Sequence, residues 1–92
     1  MNVYIVTSYH QIGSGFRNEM TVYSTLDKAK KKLAKLVKEE MESLLLERDT
    51  GEKKRGKTNW GYTKDGLSWS YYQDSYRAQY SIEFDIITKE VN

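Results

Sequence analysis

The chain is 92 residues long, enough for one domain, and its fifteen Lys and Arg against thirteen Asp and Glu leave a formal charge of +2. That balance excludes a histone-like polycation and an acidic mimic of DNA. With no Cys there is no disulfide, thiol nucleophile or cysteine-based zinc site, and no run approaches the roughly 18 apolar residues of a membrane span.

Residues 3–9, Val-Tyr-Ile-Val-Thr-Ser-Tyr, are β-branched or aromatic almost throughout and predict a strand. Val3 and Ile5 share one face, Tyr4 and Val6 the other, which places the strand inside a sheet rather than at its edge. Residues 10–18 read as a loose connection around Gly13-Ser14-Gly15, and residues 19–23 as the returning strand of a hairpin. The glycines do not read as a phosphate loop, because a strand follows them where a helix N-terminus is needed.

Ser24 is the expected N-cap of a helix, with Asp27 three residues on. Leu26, Ala29, Leu33, Leu36, Val37, Met41 and Leu44 recur at helical spacing as one apolar stripe. Gly51 is the expected C′ residue, so twenty-odd residues would form a rod of about 35 Å. Residues 50–59 are polar and basic and predict a mobile loop. Asp65-Gly66 signals a type I′ turn, which sets Lys64 opposite Leu67, Tyr62 opposite Trp69 and Trp60 opposite Tyr71. Trp60, Tyr62, Trp69 and Tyr71 then form an aromatic ladder on one face. Residues 73–77 turn. Residues 78–88 form the last strand, with Ala78, Tyr80, Ile82, Phe84 and Ile86 on one face and Gln79, Ser81, Glu83 and Asp85 solvated on the other. The expected fold is therefore a single α+β domain over residues 1–92, an antiparallel sheet of four to five strands with one long helix on one face, in the order ββαβββ.

Catalytic chemistry finds little support. His10 is the sole histidine, and Ser8 lies two residues away on the same strand face. A catalytic set needs several converging groups, so His10 reads as a polar residue at a strand end. One His and scattered carboxylates give no metal-ligand spacing, and no cofactor is implied. Glu39, Glu40 and Glu42 cannot all converge from one helix and read as a solvated face.

The helix charges carry more information. Lys28, Lys30, Lys31, Lys32, Lys35 and Lys38 crowd its N-terminal half, and Glu39, Glu40, Glu42 and Glu47 follow. That order opposes the helix macrodipole, and Lys28–Lys32 and Lys31–Lys35 are like charges at i, i+4. Lys28, Lys31, Lys32, Lys35 and Lys38 are therefore the expected partner-binding residues, a basic patch for an anionic partner. The plain alternative is a solvated lysine-rich surface. The aromatic ladder has two readings as well, a core or a binding platform. A second candidate surface joins Lys53, Lys54, Arg55 and Lys57 to Trp60, Tyr72 and Tyr76, and would bind nucleic acid or a nucleotide signal. A homodimer through an exposed sheet edge is also expected. The first residues lack the basic and apolar regions of a secretory signal, so the expected compartment is the cytoplasm.

Val3-Tyr4-Ile5-Val6-Thr7, then Val22-Tyr23-Ser24-Thr25, then Leu26-Asp27-Lys28-Ala29 resembles small proteins of phages, prophages and their bacterial hosts, in which such a strand pair leads into a helix. The resemblance covers the first third of the chain. It implies a small accessory protein of a mobile element with no active site to carry over, acting as an inhibitor or modulator of host machinery, such as an anti-defence or anti-CRISPR protein. The expectation is thus a non-enzymatic protein that works by protein–protein contact.

Overall fold

The computed structural model describes residues 1–12, 15–53, 57–75 and 78–91. Among them the elements are β1 (Asn2–Ile12), β2 (Gly15–Tyr23), α1 (Leu26–Ser43), β3 (Gly51–Lys53), β4 (Thr58–Tyr62), β5 (Ser68–Ser75) and β6 (Ala78–Glu90). The strands form one antiparallel sheet in the order β2-β1-β6-β5-β4-β3. The sheet thus has six strands where four to five were expected. The added strand is β3, which lies in the segment read as a basic loop and pairs Gly51 with Trp60 and Lys53 with Thr58.

The hairpins are also tighter than expected. β1 continues to Ile12 and β2 begins at Gly15, so the loose connection shrinks to the two residues between them. β1 is flanked by β2 and β6 along most of its length, which satisfies the backbone groups of His10 and Gln11 within the sheet. β5 likewise runs to Ser75, which pairs with Ala78, so only residues 76–77 connect it to β6.

α1 begins one residue later than expected. Thr25, not Ser24, is the N-cap, and its hydroxyl accepts from the Lys28 N–H at 3.3 Å. The helix also ends earlier, at Ser43, which makes it about 27 Å long. The Leu45 N–H donates to the Glu42 carbonyl at 3.3 Å and the Leu46 N–H to the Met41 carbonyl at 2.8 Å. These are the paired bonds of a Schellman stop, with Leu45 at φ 57° where glycine is usual. The stop turns Leu46 into the core, and Gly51 becomes a strand residue instead.

The β4–β5 register is the expected one, with Tyr62 opposite Trp69 and Trp60 opposite Tyr71. The turn itself differs. Gly66 is left-handed at φ 72° and Asp65 is not, so the connection is not type I′. Thr63 and Ser68 close it through a 2.9 Å bond. The Asp65 carboxylate accepts from the Thr63 hydroxyl at 2.6 Å and the Leu67 N–H at 2.9 Å. These bonds, the side-chain one first, hold its carboxyl below the ordinary value.

The core lies between α1 and one face of the sheet. Ala29, Leu33 and Val37 meet Val6, Trp69, Tyr71, Ile82, Phe84 and Ile86, with Leu46 at the margin. Trp69 is fully buried, stacks on Phe84 with centroids 5.8 Å apart, and donates its indole N–H to the Asp49 carbonyl at 2.8 Å. Trp60 is half-buried and donates to the Arg48 carbonyl at 2.8 Å, so two indoles tie down the chain after α1. The ladder is core at Trp69 and Tyr71 and reaches solvent at Tyr62.

Three phenols report on this packing. Burial pushes the Tyr62, Tyr71 and Tyr80 hydroxyls above the ordinary value of 10.0; Asp49 adds to the effect at Tyr62, and Glu40 and Tyr71 add to it at Tyr80. The folded chain therefore keeps protons that the unfolded chain releases. Their stabilising contribution is full below the unfolded value and is lost as pH rises through the raised folded values. Urea midpoints should fall steadily from about pH 9 to about pH 11. Tyr71→Phe should flatten that decline.

Candidate functional site

Burial of Ala29, Leu33 and Val37 fixes the rotation of α1 about its axis. Lys28, Lys31, Lys35 and Lys38, spaced by three and four residues, consequently line one exposed ridge turned away from the sheet. Lys32 is half-buried on its flank, and Lys30 is exposed on the other side of the helix, seven residues before Val37. Among the described residues the ion pairs are His10–Glu40 and Arg17–Glu19, so no carboxylate forms an ion pair with a ridge lysine. Glu39 and Glu42 are exposed and extend it with the opposite charge.

Glu40 departs from the expected solvated acidic face. It lies on the inner flank of α1, where the His10 Nε2–H donates to its carboxylate at 2.5 Å. The two side chains are only 15% and 17% exposed. The His10 ring meets Phe84 edge-on at 5.7 Å, and its Nδ1 is buried without a hydrogen-bond partner. His10 is not at a strand end; it pairs with Arg17 and Ile82 inside the sheet. Ser8 shares its face and is buried. Among the described residues neither Ser8 nor Ser43 hydrogen-bonds to His10. The contact therefore reads as a tether between the C-terminal half of α1 and β1. A cleft of about 410 Å³ opens beside it, lined by Phe16, Arg17, Ser43 and Tyr80. One signal for this pair was present in the sequence: Val6, Ser8 and His10 alternate, and a longer β1 aims all three at the helix.

The second candidate surface is only partly assembled. Lys54, Arg55 and Tyr76 lie outside the described residues. Lys53 and Lys57 are exposed, and the Lys53 ammonium sits 5.9 Å from the Trp60 ring centroid. A cleft of about 500 Å³ lies here, lined by Leu46, Arg48, Thr50, Gly51, Lys53 and Trp60. Tyr72 is exposed but belongs to the opposite face of the sheet, in register with Asn59 and Ser81. Trp60 and Tyr72 therefore cannot stack on one ligand.

Trp60 is also hemmed in by its strand neighbours. Tyr71 lies 6.0 Å away on one side. On the other, a Cβ added to Gly51 would fall 2.5 Å from Cζ2 of the indole. Gly51→Ala should thus push Trp60 outward and loosen β3, at about 1–3 kcal/mol. A red shift in tryptophan emission together with a lower urea midpoint would report this; Trp69 stays buried and silent.

Among the described residues no group of three or more His, Asp or Glu is placed to hold a metal ion. No described helix is long and apolar enough to cross a membrane. Comparison of the chain with protein-family models, with curated proteins and with solved structures finds no match.

Proposed function

We propose that this chain is a non-enzymatic docking protein whose α1 ridge engages an acidic surface on a protein partner. One observation carries the reading: four exposed lysines stand in a row on a helix held against the sheet, and no carboxylate among the described residues pairs with them. A rigid row of lysines without ion-pair partners favours an anionic partner along the part of the helix face that precedes Glu39 and Glu42. The resemblance of the first third of the chain to phage and prophage proteins makes host machinery the expected target, with inhibition or modulation in the host cytoplasm the expected effect. The test is capture of protein from host lysate on immobilised chain, with wild type compared with a variant in which Lys28, Lys31, Lys35 and Lys38 are all changed to Gln. Equal capture by the two would reject the ridge.

A second reading is favoured by the Lys53–Trp60 contact and its cleft. There a nucleotide phosphate would meet Lys53 and Arg48. Binding of single strands, duplexes or cyclic nucleotides that weakens steeply with salt and is lost in Lys53→Gln would support it. Binding absent at low salt would reject it.

A further inference from the structure

The sheet has two edges, and they are built differently. β3 is three residues long and carries Glu52 and Lys53, two ordinary defences against strand addition. β2 is nine residues long, and every residue from Gly15 to Val22 is exposed. Alternate residues of such an edge turn their N–H and C=O groups away from the sheet, toward water. Phe16, Met20 and Val22 share the face away from α1, and they are 71%, 73% and 60% exposed. A long exposed edge is a template for another strand wherever its charges do not oppose the pairing, and the charges of β2 are Arg17 and Glu19.

We infer that the occupant is β2 of a second copy of this chain, paired antiparallel about a twofold axis at Asn18. The charges select that register. A twofold axis through the sheet keeps each face on its own side, so only residues of one face can stand opposite each other. Centred on Arg17, the pairing would set Arg17 against its own mate. Centred on Glu19, it would set two carboxylates together. Centred on Asn18, it sets Arg17 of each copy opposite Glu19 of the other, twice. Arg17 and Glu19 already lie on one face 3.9 Å apart within a copy, so the seam would carry four alternating charges. The same register sets Phe16 opposite Met20 of the second copy, also twice, a favourable ring–sulfur contact. Residues 15–21 then pair with themselves throughout. A foreign strand would have no reason to match this self-complementary pattern.

The dimer is a continuous twelve-stranded sheet, with both copies of α1 on the same side. The two lysine ridges therefore face the same way, and a partner with two acidic sites would meet both at once. The seam involves none of the ridge residues, so it stands or falls separately from the proposed function.

Charge exchange tests the register. Sedimentation velocity over a concentration series should show the wild type passing from monomer to dimer. Arg17→Glu and Glu19→Arg should each weaken association by about tenfold or more, because two attractive pairs become repulsive. Both residues are about two-thirds exposed, at 69% and 66%, and circular dichroism should show each variant folded. An equal mixture of the two single variants should dimerise again, and so should the double variant R17E/E19R. A wild type monomeric at every concentration would overturn the proposal. So would single variants that associate as tightly as wild type, or a mixture that fails to recover. Association lost in Ile87→Lys but kept in both charge variants would place the contact on the open sheet face and overturn it equally.

Discussion

Trp69→Ala is expected to remove about half of the domain's stability at room temperature. Trp69 is fully buried, stacks on Phe84 and sits in the cluster that includes Leu33 and Ile82. Emptying an aromatic core position removes about 3–5 kcal/mol. A domain of this length holds only about 5–10 kcal/mol in all. The indole also donates to the Asp49 carbonyl, so its loss frees the chain that links α1 to β3. Trp69→Phe separates the two effects. It keeps a ring against Phe84 but leaves Asp49 without its donor, at about 1–2 kcal/mol. Tyr62→Ala, at the exposed rim of the same ladder, should change stability by less than about 1 kcal/mol. Urea denaturation followed by far-ultraviolet dichroism ranks the three. Equal losses for Trp69→Ala and Tyr62→Ala would mean that the core does not centre on Trp69.

The elements legible in the sequence are those whose determinants are local. The α1 stripe from Leu26 to Leu44 needs only a period of 3.6, and its members are buried or half-buried. The β4–β5 register survived a wrong turn type because both closures around Asp65-Gly66 share it. What escaped depends on contacts that the element's own residues do not announce. β3 is Gly-Glu-Lys, a tripeptide with no strand propensity, and it forms where a glycine can lie against the Trp60 indole. The helix stop lacks its usual glycine, and the burial of Leu46 takes that role. His10 and Glu40 are thirty residues apart, and their meeting needs both the length of β1 and the rotation of α1. Of the proposed surfaces, the lysine ridge could be written down from spacing alone. The β2 edge could not, because Phe16 and Arg17 become strand residues only by pairing with Gln11 and His10 of a β1 that runs on to Ile12.

Neutralising the ridge should abolish partner capture and leave the fold as stable as before. This pairing of outcomes separates a recognition surface from a structural one. Lys28 and Lys31 sit near the positive end of the helix dipole and repel Lys32 and Lys35 one turn on. Changing both to Gln removes that strain without loss of helix propensity, for a gain of roughly 0.3–1 kcal/mol. Lys35 and Lys38 each lie one turn before a glutamate, Glu39 and Glu42, without forming an ion pair with it, so Lys35→Gln and Lys38→Gln lose at most about 0.3 kcal/mol apiece. The four changes together should therefore leave the urea midpoint nearly where it was. Each exposed lysine in a complementary interface steers and holds a charged partner through forces that salt screens within about 8–10 Å. The quadruple variant should then lose at least tenfold in capture at low ionic strength, and wild type at high salt should resemble it. The N-terminal pair alone makes the sharpest case, since Lys28→Gln with Lys31→Gln should raise the midpoint while lowering capture. A structural lysine row would do the reverse and lower the midpoint when neutralised. If the midpoint rises and capture is unchanged, the row is a solvated surface and the docking proposal falls.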